Sequence, residues 1–301
     1  MSNSSPHPFP DGTSLAHDAR PPAVAEGGRS LLDLRTQLVS PSSPSLRRTG
    51  WKFSHWPNCS EANLVLITSG VARRSRSPNA ETQSEKTLAD NWKIANGRAG
   101  SRSRRYFVTN ELRYMWVLTF AESQLDRRTV MKLVSDFARR LRSMGDDTPF
   151  PYWYSPELHP EGHGWHVNLF IPFRVPHSVV ELLWGYGFVW VTDFASSHRG
   201  PHGEPLGLCR TPREALRRAA QYGCKYSQKD WSPEHVERSN HRYEIAQGFT
   251  PEISSTWVRD PLEAEALIAD LLPADGQYRL QTWDSNQDPD WTRVPVRTWR
   301  W

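Results

Sequence analysis

The chain has 301 residues, a formal net charge of +4 and three widely separated cysteines. The charge suits an anionic partner without requiring one, and the cysteines exclude a disulfide framework and a Cys-x-x-Cys zinc site. No signal-peptide pattern opens the sequence, and its best apolar stretch, residues 179–191, is too short to span a bilayer. We therefore expect a soluble, cytoplasmic protein.

Composition divides the chain into four parts. Residues 1–45 are rich in Ser, Pro, Gly and Ala, which predicts a disordered leader. Residues 46–110 combine one short apolar run with closely spaced arginines and predict a basic, partly helical N-terminal region. Residues 111–230 hold the regular patterns of one folded domain. Residues 231–301, rich in Pro and Asp with scattered tryptophans, predict an irregular C-terminal extension.

The domain over residues 111–230 begins with a strand and a helix. The run from Tyr114 to Phe120, YMWVLTF, is rich in β-branched and aromatic residues and has the length of a strand. Apolar residues then recur at helical spacing between residues 125 and 144. An amphipathic helix is therefore predicted directly after the strand.

A hairpin, a short helix, a strand and a last helix follow. PYWYSPE and WHVNLFI have strand patterns and are joined by the turn HPEGHG. After Pro176 we predict a helix to about Trp184, a strand over residues 187–194, and a helix with Thr211 as N-cap and Pro212 in its first position. The order β-α-β-β-α-β-α predicts an α+β fold. Its core is a ferredoxin-like or RRM-like antiparallel sheet with helices on one face, flanked by the two extensions.

One group of polar residues lies on the predicted hairpin. The strand period of two places His166 and Asn168 on the same face of WHVNLFI, and Glu157 lies on the preceding strand. An imidazole, an amide oxygen and a carboxylate form a site suited to Mg²⁺ or Mn²⁺. Two alternatives stay open: these residues are the solvent face of an edge hairpin, or His166 belongs to a zinc site with His159 and His163.

A second group lies on the last predicted helix. Tyr222, Lys225, Tyr226 and Lys229 follow the spacing i, i+3, i+4 and i+7, so they project from nearly the same face. A phenol has an ordinary pKa of about 10, so attack on a phosphodiester requires positive charge nearby. The alternative is that both tyrosines, with two alanines one and two turns earlier, form the buried stripe of the helix.

Three ordered motifs resemble those of HUH endonucleases. They are LTF at Leu118 to Phe120, Glu157 paired with HVN at His166 to Asn168, and YGCKYSQK at Tyr222 to Lys229. The closest resemblance is to bacterial plasmid and phage rolling-circle replication initiators of the two-tyrosine type. That family usually has His-hydrophobic-His, whereas this chain has Asn168 in the second position. Related viral initiators, with His-hydrophobic-Gln and an upstream glutamate, resemble it more closely there.

The resemblance implies a metal-dependent DNA endonuclease and strand transferase. Tyr222 or Tyr226 would attack single-stranded DNA at a replication origin, leaving a 5′-phosphotyrosine and a free 3′-hydroxyl. Glu157, His166 and Asn168 would hold Mg²⁺ or Mn²⁺, which stabilises the developing charge. Lys225 would lower the proton affinity of the tyrosine or orient the phosphate. Host helicase and polymerase are the expected partners.

Cations and aromatic side chains together hold single-stranded DNA. Some of the fourteen tryptophans are candidates for base stacking. The arginine cluster before residue 110 is also a candidate determinant of origin specificity. The predicted phosphate-binding residues are Lys229, Arg218, Arg102, Arg104 and Arg105.

Two other classes of function stay open. An HUH transposase or conjugative relaxase would share the chemistry but act at a transposon end or a transfer origin. A non-catalytic RRM-like nucleic-acid binder would keep the sheet and use aromatic residues on its strands. The tyrosine pair on a helix and the polar pair His166 and Asn168 on the sheet favour the nuclease.

Overall fold

The computed structural model describes residues 49–68, 85–124, 126–159, 164–196, 207, 209–228, 242–276, 278–287 and 295–301, with side chains omitted at 85–94 and 228. The leader predicted for residues 1–45 lies outside these ranges. The helices are α1 (Glu85–Thr109), α2 (Arg127–Ser143), α3 (His177–Trp184), α4 (Pro212–Gln228) and α5 (Pro261–Leu271). The strands are β1 (Gly50–Trp56), β2 (Glu61–Ile67), β3 (Tyr114–Leu118), β4 (Trp153–Leu158), β5 (Trp165–Ile171), β6 (Val189–Asp193), β7 (Glu244–Ile245), β8 (Ser254–Val258), β9 (Gln281–Asp284) and β10 (Val296–Arg300).

The first sheet has the strand order β6-β3-β5-β4-β7, and all of its pairs are antiparallel. Its chain order, β3-α2-β4-β5-α3-β6-α4, is the order predicted from the sequence. Strands β3 and β5 lie in the centre, as the split β-α-β arrangement requires. The α+β class and the antiparallel sheet are therefore confirmed.

Helices cover both faces of this sheet. On one face, Trp116 of β3 and Leu169 of β5 pack with Phe137 of α2 and Trp184 of α3. On the other face, aromatic and apolar residues of β3, β4 and β5 pack against α1 and α4: Met115, Trp153, Phe170, Phe107 and Tyr222. The prediction of helices on one face only is wrong, because this second face also carries large apolar side chains that must be buried. We call it the site face.

A second antiparallel sheet, with the order β8-β1-β2-β10-β9, joins the two regions on either side of the domain predicted over 111–230. Its buried side packs Phe53, Leu64 and Trp299 against Ile268 of α5. Helix α1 confirms the partly helical character predicted for 46–110, although this region also contributes β1 and β2. The prediction of an irregular extension over 231–301 is wrong, because this region supplies β8, α5, β9 and β10. Neither region forms the sheet alone, since the pair β1–β2 lies between β8 and β10.

None of the helices within the described ranges is long and apolar enough to cross a membrane.

Candidate active site

Strands β4 and β5 bring the predicted metal-binding residues together. Their register pairs Glu157 with His166 and Ser155 with Asn168, so all four side chains lie on the site face. His166 Nε2 lies 3.4 Å from Glu157 Oε2, and Asn168 Nδ2 donates to the same oxygen at 3.3 Å. The three residues thus converge on one carboxylate oxygen.

This cluster is shielded from water. Asn168 is only 1% exposed, and the side chains of Glu157 and His166 are mostly buried. Burial lowers the pKa of His166, which favours the neutral imidazole that binds metals. Because β5 is a central strand, the alternative of a solvent-facing edge hairpin is wrong.

The donor set fits a hard divalent cation. In an octahedral site with bonds of about 2.0–2.1 Å, neighbouring ligand atoms lie about 3 Å apart, close to the His166–Glu157 separation. Rotating the Asn168 amide by half a turn brings Oδ1, an acceptor, beside Glu157 in place of Nδ2. Glu157, His166 and Asn168 can therefore supply a carboxylate oxygen, an imidazole nitrogen and an amide oxygen.

The predicted zinc alternative has no assembled site in the described part of the chain. The ring centroids of His159 and His166 are 6.5 Å apart, and His163 lies outside the described residues. Among the residues that the structure describes, no three His, Cys, Asp or Glu side chains are grouped to hold a metal. The candidate trio depends on Asn168 as its third ligand.

Helix α4 carries the two tyrosines and begins as predicted. Glu214 donates its backbone N–H to the side chain of Thr211, 3.1 Å away, and Pro212 is the first helical residue. The stripe formed by Ala215, Ala219, Tyr222 and Tyr226 is buried. The alternative that both tyrosines belong to the buried face of the helix is therefore confirmed, and their role as nucleophiles stays a prediction.

The tyrosines are adjacent, and a cation lies over one of them. The ring centroids of Tyr222 and Tyr226 are 5.7 Å apart. Lys225 is exposed, with Nζ 4.8 Å from the centroid of the Tyr222 ring. The hydroxyl of Tyr222 is enclosed by protein. A lysine charge therefore lies beside the tyrosine pair, as predicted from the spacing.

The N-terminal tyrosine lies over the far end of the site face. Its ring is 5.5 Å from that of Phe194, which follows β6. Phe194 in turn stacks on Phe170, with a centroid separation of 6.2 Å. Phe170 lies two residues beyond Asn168 on β5, so Tyr222 is displaced along the strand from the candidate metal ligands.

The C-terminal end of α4 lies closer to those ligands. Arg242 Nη1 donates to the Ser227 carbonyl at 3.3 Å, and Ser155 Oγ donates to the Arg242 carbonyl at 2.9 Å. Ser155 is the cross-strand partner of Asn168. Because Tyr226 immediately precedes Ser227, these bonds link the turn of α4 that carries Tyr226 to the row of Asn168, whereas Tyr222 packs at the Phe170 end of the face.

Gly223, inside the tyrosine motif, has a role that the sequence analysis missed. A Cβ at this position would lie 2.4 Å from Cζ of Phe107 on α1. The next residue, Cys224, donates its thiol to the Gly100 carbonyl of α1 at 3.2 Å. The two residues between Tyr222 and Lys225 therefore face α1, and a glycine within a helix was the available signal of such close packing.

Two of the predicted DNA-binding arginines are committed to an internal ion pair. Arg104 Nε lies 3.0 Å and Arg105 Nη2 2.7 Å from the carboxylate of Glu61, which is buried in the second sheet. Arg105 also stacks 3.4 Å above the ring of Trp56. Arg104 and Arg105 already have a carboxylate partner, and separating a buried ion pair is costly, so their contact with DNA stays a prediction that the fold disfavours.

The remaining predicted DNA contacts differ in exposure. Arg102 is exposed on α1, and Arg218 is half-buried on α4. Lys229 lies outside the described residues. Arg102 and Arg218 therefore stay available to a ligand.

Comparisons with family models, with curated proteins and with solved structures gave no match to this chain.

Proposed function

We propose that this protein initiates rolling-circle replication by nicking single-stranded origin DNA through a tyrosine of α4. One observation carries the proposal: Glu157, His166 and Asn168 converge on the same face of the sheet that α4 covers with Tyr222 and Tyr226. A carboxylate, an imidazole and an amide beside a phenol and a lysine form a site suited to phosphoryl transfer. The three-motif resemblance of the sequence supports the same reaction.

The covalent step needs no activated water. The phenolic oxygen attacks the scissile phosphorus, and the bond from phosphorus to the 3′-oxygen breaks. The phenol releases its proton to solvent, and the leaving 3′-oxygen takes up a proton from solvent. The products are a 5′-phosphotyrosine and a free 3′-hydroxyl that a polymerase can extend. The energy of the phosphodiester is retained in the protein–DNA bond, so a second tyrosine can carry out a second transfer.

The residues have separate roles in this proposal. Tyr226 is the first nucleophile because it lies nearer to the trio, and Tyr222 serves the later transfer. Lys225 places positive charge beside the tyrosines, and Arg218, one turn before Tyr222, extends this charge along α4. Glu157, His166 and Asn168 would hold Mg²⁺ or Mn²⁺, which supplies Lewis-acid stabilisation of the phosphate charge.

A transposase or relaxase of the same class would use the same residues and differs from a replication initiator only in the DNA that it cuts.

A non-catalytic binder of single-stranded DNA is the second candidate. The enclosed hydroxyl of Tyr222 favours it, because a nucleophile must reach the phosphorus. For the nuclease, part of α4 must shift when DNA binds.

Detection of a denaturant-resistant adduct tests the proposal. Purified protein is incubated with Mn²⁺ or Mg²⁺ and with labelled single strands tiled across the genetic element that encodes it. We expect an adduct that requires the cation, weakens in His166→Ala and is abolished in the Tyr222→Phe/Tyr226→Phe double variant. Tyr278→Phe, a half-exposed tyrosine outside the site, is the matched control.

The single tyrosine variants separate the two roles. Tyr226→Phe is expected to remove most of the first adduct, whereas Tyr222→Phe retains it. If the protein binds single-stranded DNA but forms no covalent adduct with any strand, the nuclease proposal is wrong and the protein is a non-catalytic binder.

A further inference from the structure

Two large aromatic side chains stand exposed at the edge of the first sheet. Phe188 is 79% exposed and Trp190 is 59% exposed, although both are apolar enough to be expected in a core. They lie two residues apart at the start of β6, so both project to the same side of the strand. Such neighbouring exposed aromatics indicate a binding surface.

The strand register places this aromatic pair on the site face. Trp190 is opposite Val117 on β3, and Val117 is opposite Asn168 on β5. Directly paired residues of antiparallel strands share a face. Trp190 and Asn168 therefore stand in one row of the sheet, two inter-strand spacings or about 10 Å apart.

Phe188 stands in the neighbouring row. Thr119 donates its backbone N–H to the Phe188 carbonyl at 3.0 Å, which continues the pairing of β3 with β6. Extending the pairing of β3 with β5 by one residue, from Leu118 with Val167, sets Thr119 opposite His166. The two exposed aromatics are thus aligned with the two candidate metal ligands of β5.

An exposed cation shares a groove with one of the two aromatics. Trp190 lines this open groove at the edge of β6 together with Arg174, His177 and Asp193. The side chain of Arg174 is exposed. Aromatic side chains for bases with cations for phosphates are the combination that binds single-stranded nucleic acid.

We propose that Phe188 and Trp190 are a stacking platform for two bases of single-stranded DNA next to the scissile phosphate, with Arg174 binding the backbone beyond them. The proposal rests on the proposed nicking function, because it assigns the path of that substrate. Bases in a duplex already stack on one another, so the platform selects unpaired DNA. Phe188 and Trp190 are positioning residues and take no part in bond breaking.

Fluorescence anisotropy with a labelled single strand of mixed sequence, in EDTA, measures the platform without cleavage. Phe188→Ala and Trp190→Ala are each expected to raise Kd about five- to a hundredfold, the range for loss of one stacked base. Trp190→Phe should restore most of the affinity. Trp257→Ala removes an exposed tryptophan from the second sheet and is expected to leave Kd unchanged.

Two further readouts distinguish stacking from a structural role. Trp190→Ala should leave the slope of log K against log salt concentration unchanged. Arg174→Ala should make this slope shallower by the amount that corresponds to about one phosphate contact. A strand with abasic sites opposite the platform should bind wild type and Trp190→Ala equally. A local folding defect would weaken binding of the abasic and the intact strand alike.

The outcomes separate this proposal from the nicking function. If wild type forms the adduct but Phe188→Ala and Trp190→Ala bind and nick as wild type does, the platform is overturned and the nuclease stands. If wild type binds single strands without nicking them, the weakened binding of the variants still supports the platform. Self-association that depends on Trp190, with unchanged DNA affinity, would identify a contact between protein copies and overturn the proposal.

Discussion

Asn168 decides whether the candidate cluster can hold a metal. Its Nδ2 donates to Glu157, and a carboxylate flanked by an amide donor and an imidazole is satisfied without a cation. The same amide presents Oδ1 after half a turn, so the residue is compatible with both states. Aspartate has the shape of Asn168 but an oxygen in place of the Nδ2 donor. The substitution therefore distinguishes a cluster closed by a hydrogen bond from a cluster that holds a cation.

Asn168→Asp should therefore couple stability to divalent cations. In EDTA we expect the variant to lose about 1–3 kcal/mol of unfolding free energy, because two carboxylates then face each other where a hydrogen bond was. Mn²⁺ should recover this loss and stabilise the variant more than wild type, as urea unfolding with and without the ion will show. Asn110→Asp also removes an amide donor, to the carbonyls of Tyr106 and Phe249, and should lose stability without any recovery by Mn²⁺.

Equal responses of the two variants to Mn²⁺ would rule out a metal site at Glu157, His166 and Asn168.

Helices α1 and α4 form the layer that covers the site face, and their close approach depends on one glycine. Gly223 of α4 lies against the ring of Phe107, which is buried with Trp153 and Phe170 beneath it. Glycine normally weakens a helix interior, so its presence in the tyrosine motif has a local cost. Close packing of the two helices offsets that cost and fixes where both tyrosines lie.

Gly223→Ala should thus destabilise the protein although alanine favours helices. Overpacking costs about 1–3 kcal/mol, which exceeds the gain of up to about 1 kcal/mol in helix propensity. Gly97→Ala in α1 is the matched control and should raise stability, since a Cβ at that position would meet no tertiary neighbour within 4 Å in the described part of the chain. Urea unfolding of both variants measures the difference, and a Gly223→Ala variant as stable as wild type would show that α1 and α4 are not packed this closely.

Ion pairs around Glu61 join the second sheet to α1, the helix that covers the site face of the first sheet. This carboxylate of the second sheet is within 3.4 Å of guanidinium nitrogens of Arg104 and Arg300, and within 2.7 Å of one of Arg105. Burial alone would raise the pKa of Glu61, but these three cations outweigh it and hold the pKa below its ordinary value. The unfolded chain then takes up the proton at higher pH than the folded one, so the pairing stabilises the fold above the ordinary carboxyl pKa and is lost as pH falls below it.

Glu61→Gln should accordingly cost about 3–5 kcal/mol of unfolding free energy at pH 7, because three clustered guanidinium groups lose their counter-charge. The difference from wild type should begin to shrink as the pH falls below about 4, where the carboxyl of the unfolded wild-type chain takes up its proton, and should vanish only when the folded carboxyl is protonated as well. Urea unfolding at both pH values tests this. Asp136→Asn breaks an exposed ion pair with Arg139 on α2 and should cost at most about 1 kcal/mol. A loss for Glu61→Gln no larger than this control would show that Glu61 does not join the second sheet to α1.

Local patterns predicted the first sheet and the position of its polar trio. The strand period placed His166 and Asn168 on one face, and the hairpin placed Glu157 opposite them, which the register confirms. The second sheet left no such pattern, because its pairs join distant segments: Ser54 and Ser255 face each other although they are 201 residues apart. Separation along the chain also hid the role of Arg104 and Arg105, whose partner Glu61 is the first residue of β2, 43 and 44 residues earlier.

The exposure of Phe188 and Trp190 could not be predicted from the sequence either. Both belong to a run whose composition is that of a buried strand, and only the position of β6 at the edge of the sheet leaves their face uncovered.

The spacing of Tyr222 and Tyr226 was equally consistent with a reactive face and with a buried stripe of the helix. The packing against Phe194 and Phe170 distinguishes the N-terminal tyrosine from the C-terminal one, which the spacing alone could not do.

The most direct test of the central claim is to locate the bond between protein and DNA. Wild-type protein is allowed to react once with its cognate single strand in Mn²⁺, digested with protease and nuclease, and analysed by mass spectrometry for a peptide that carries a nucleotide. We predict that the nucleotide is attached to the α4 peptide, at Tyr226. Attachment to a residue outside α4, or no nucleotide-bearing peptide from any strand of the encoding element, would contradict the proposed nicking mechanism.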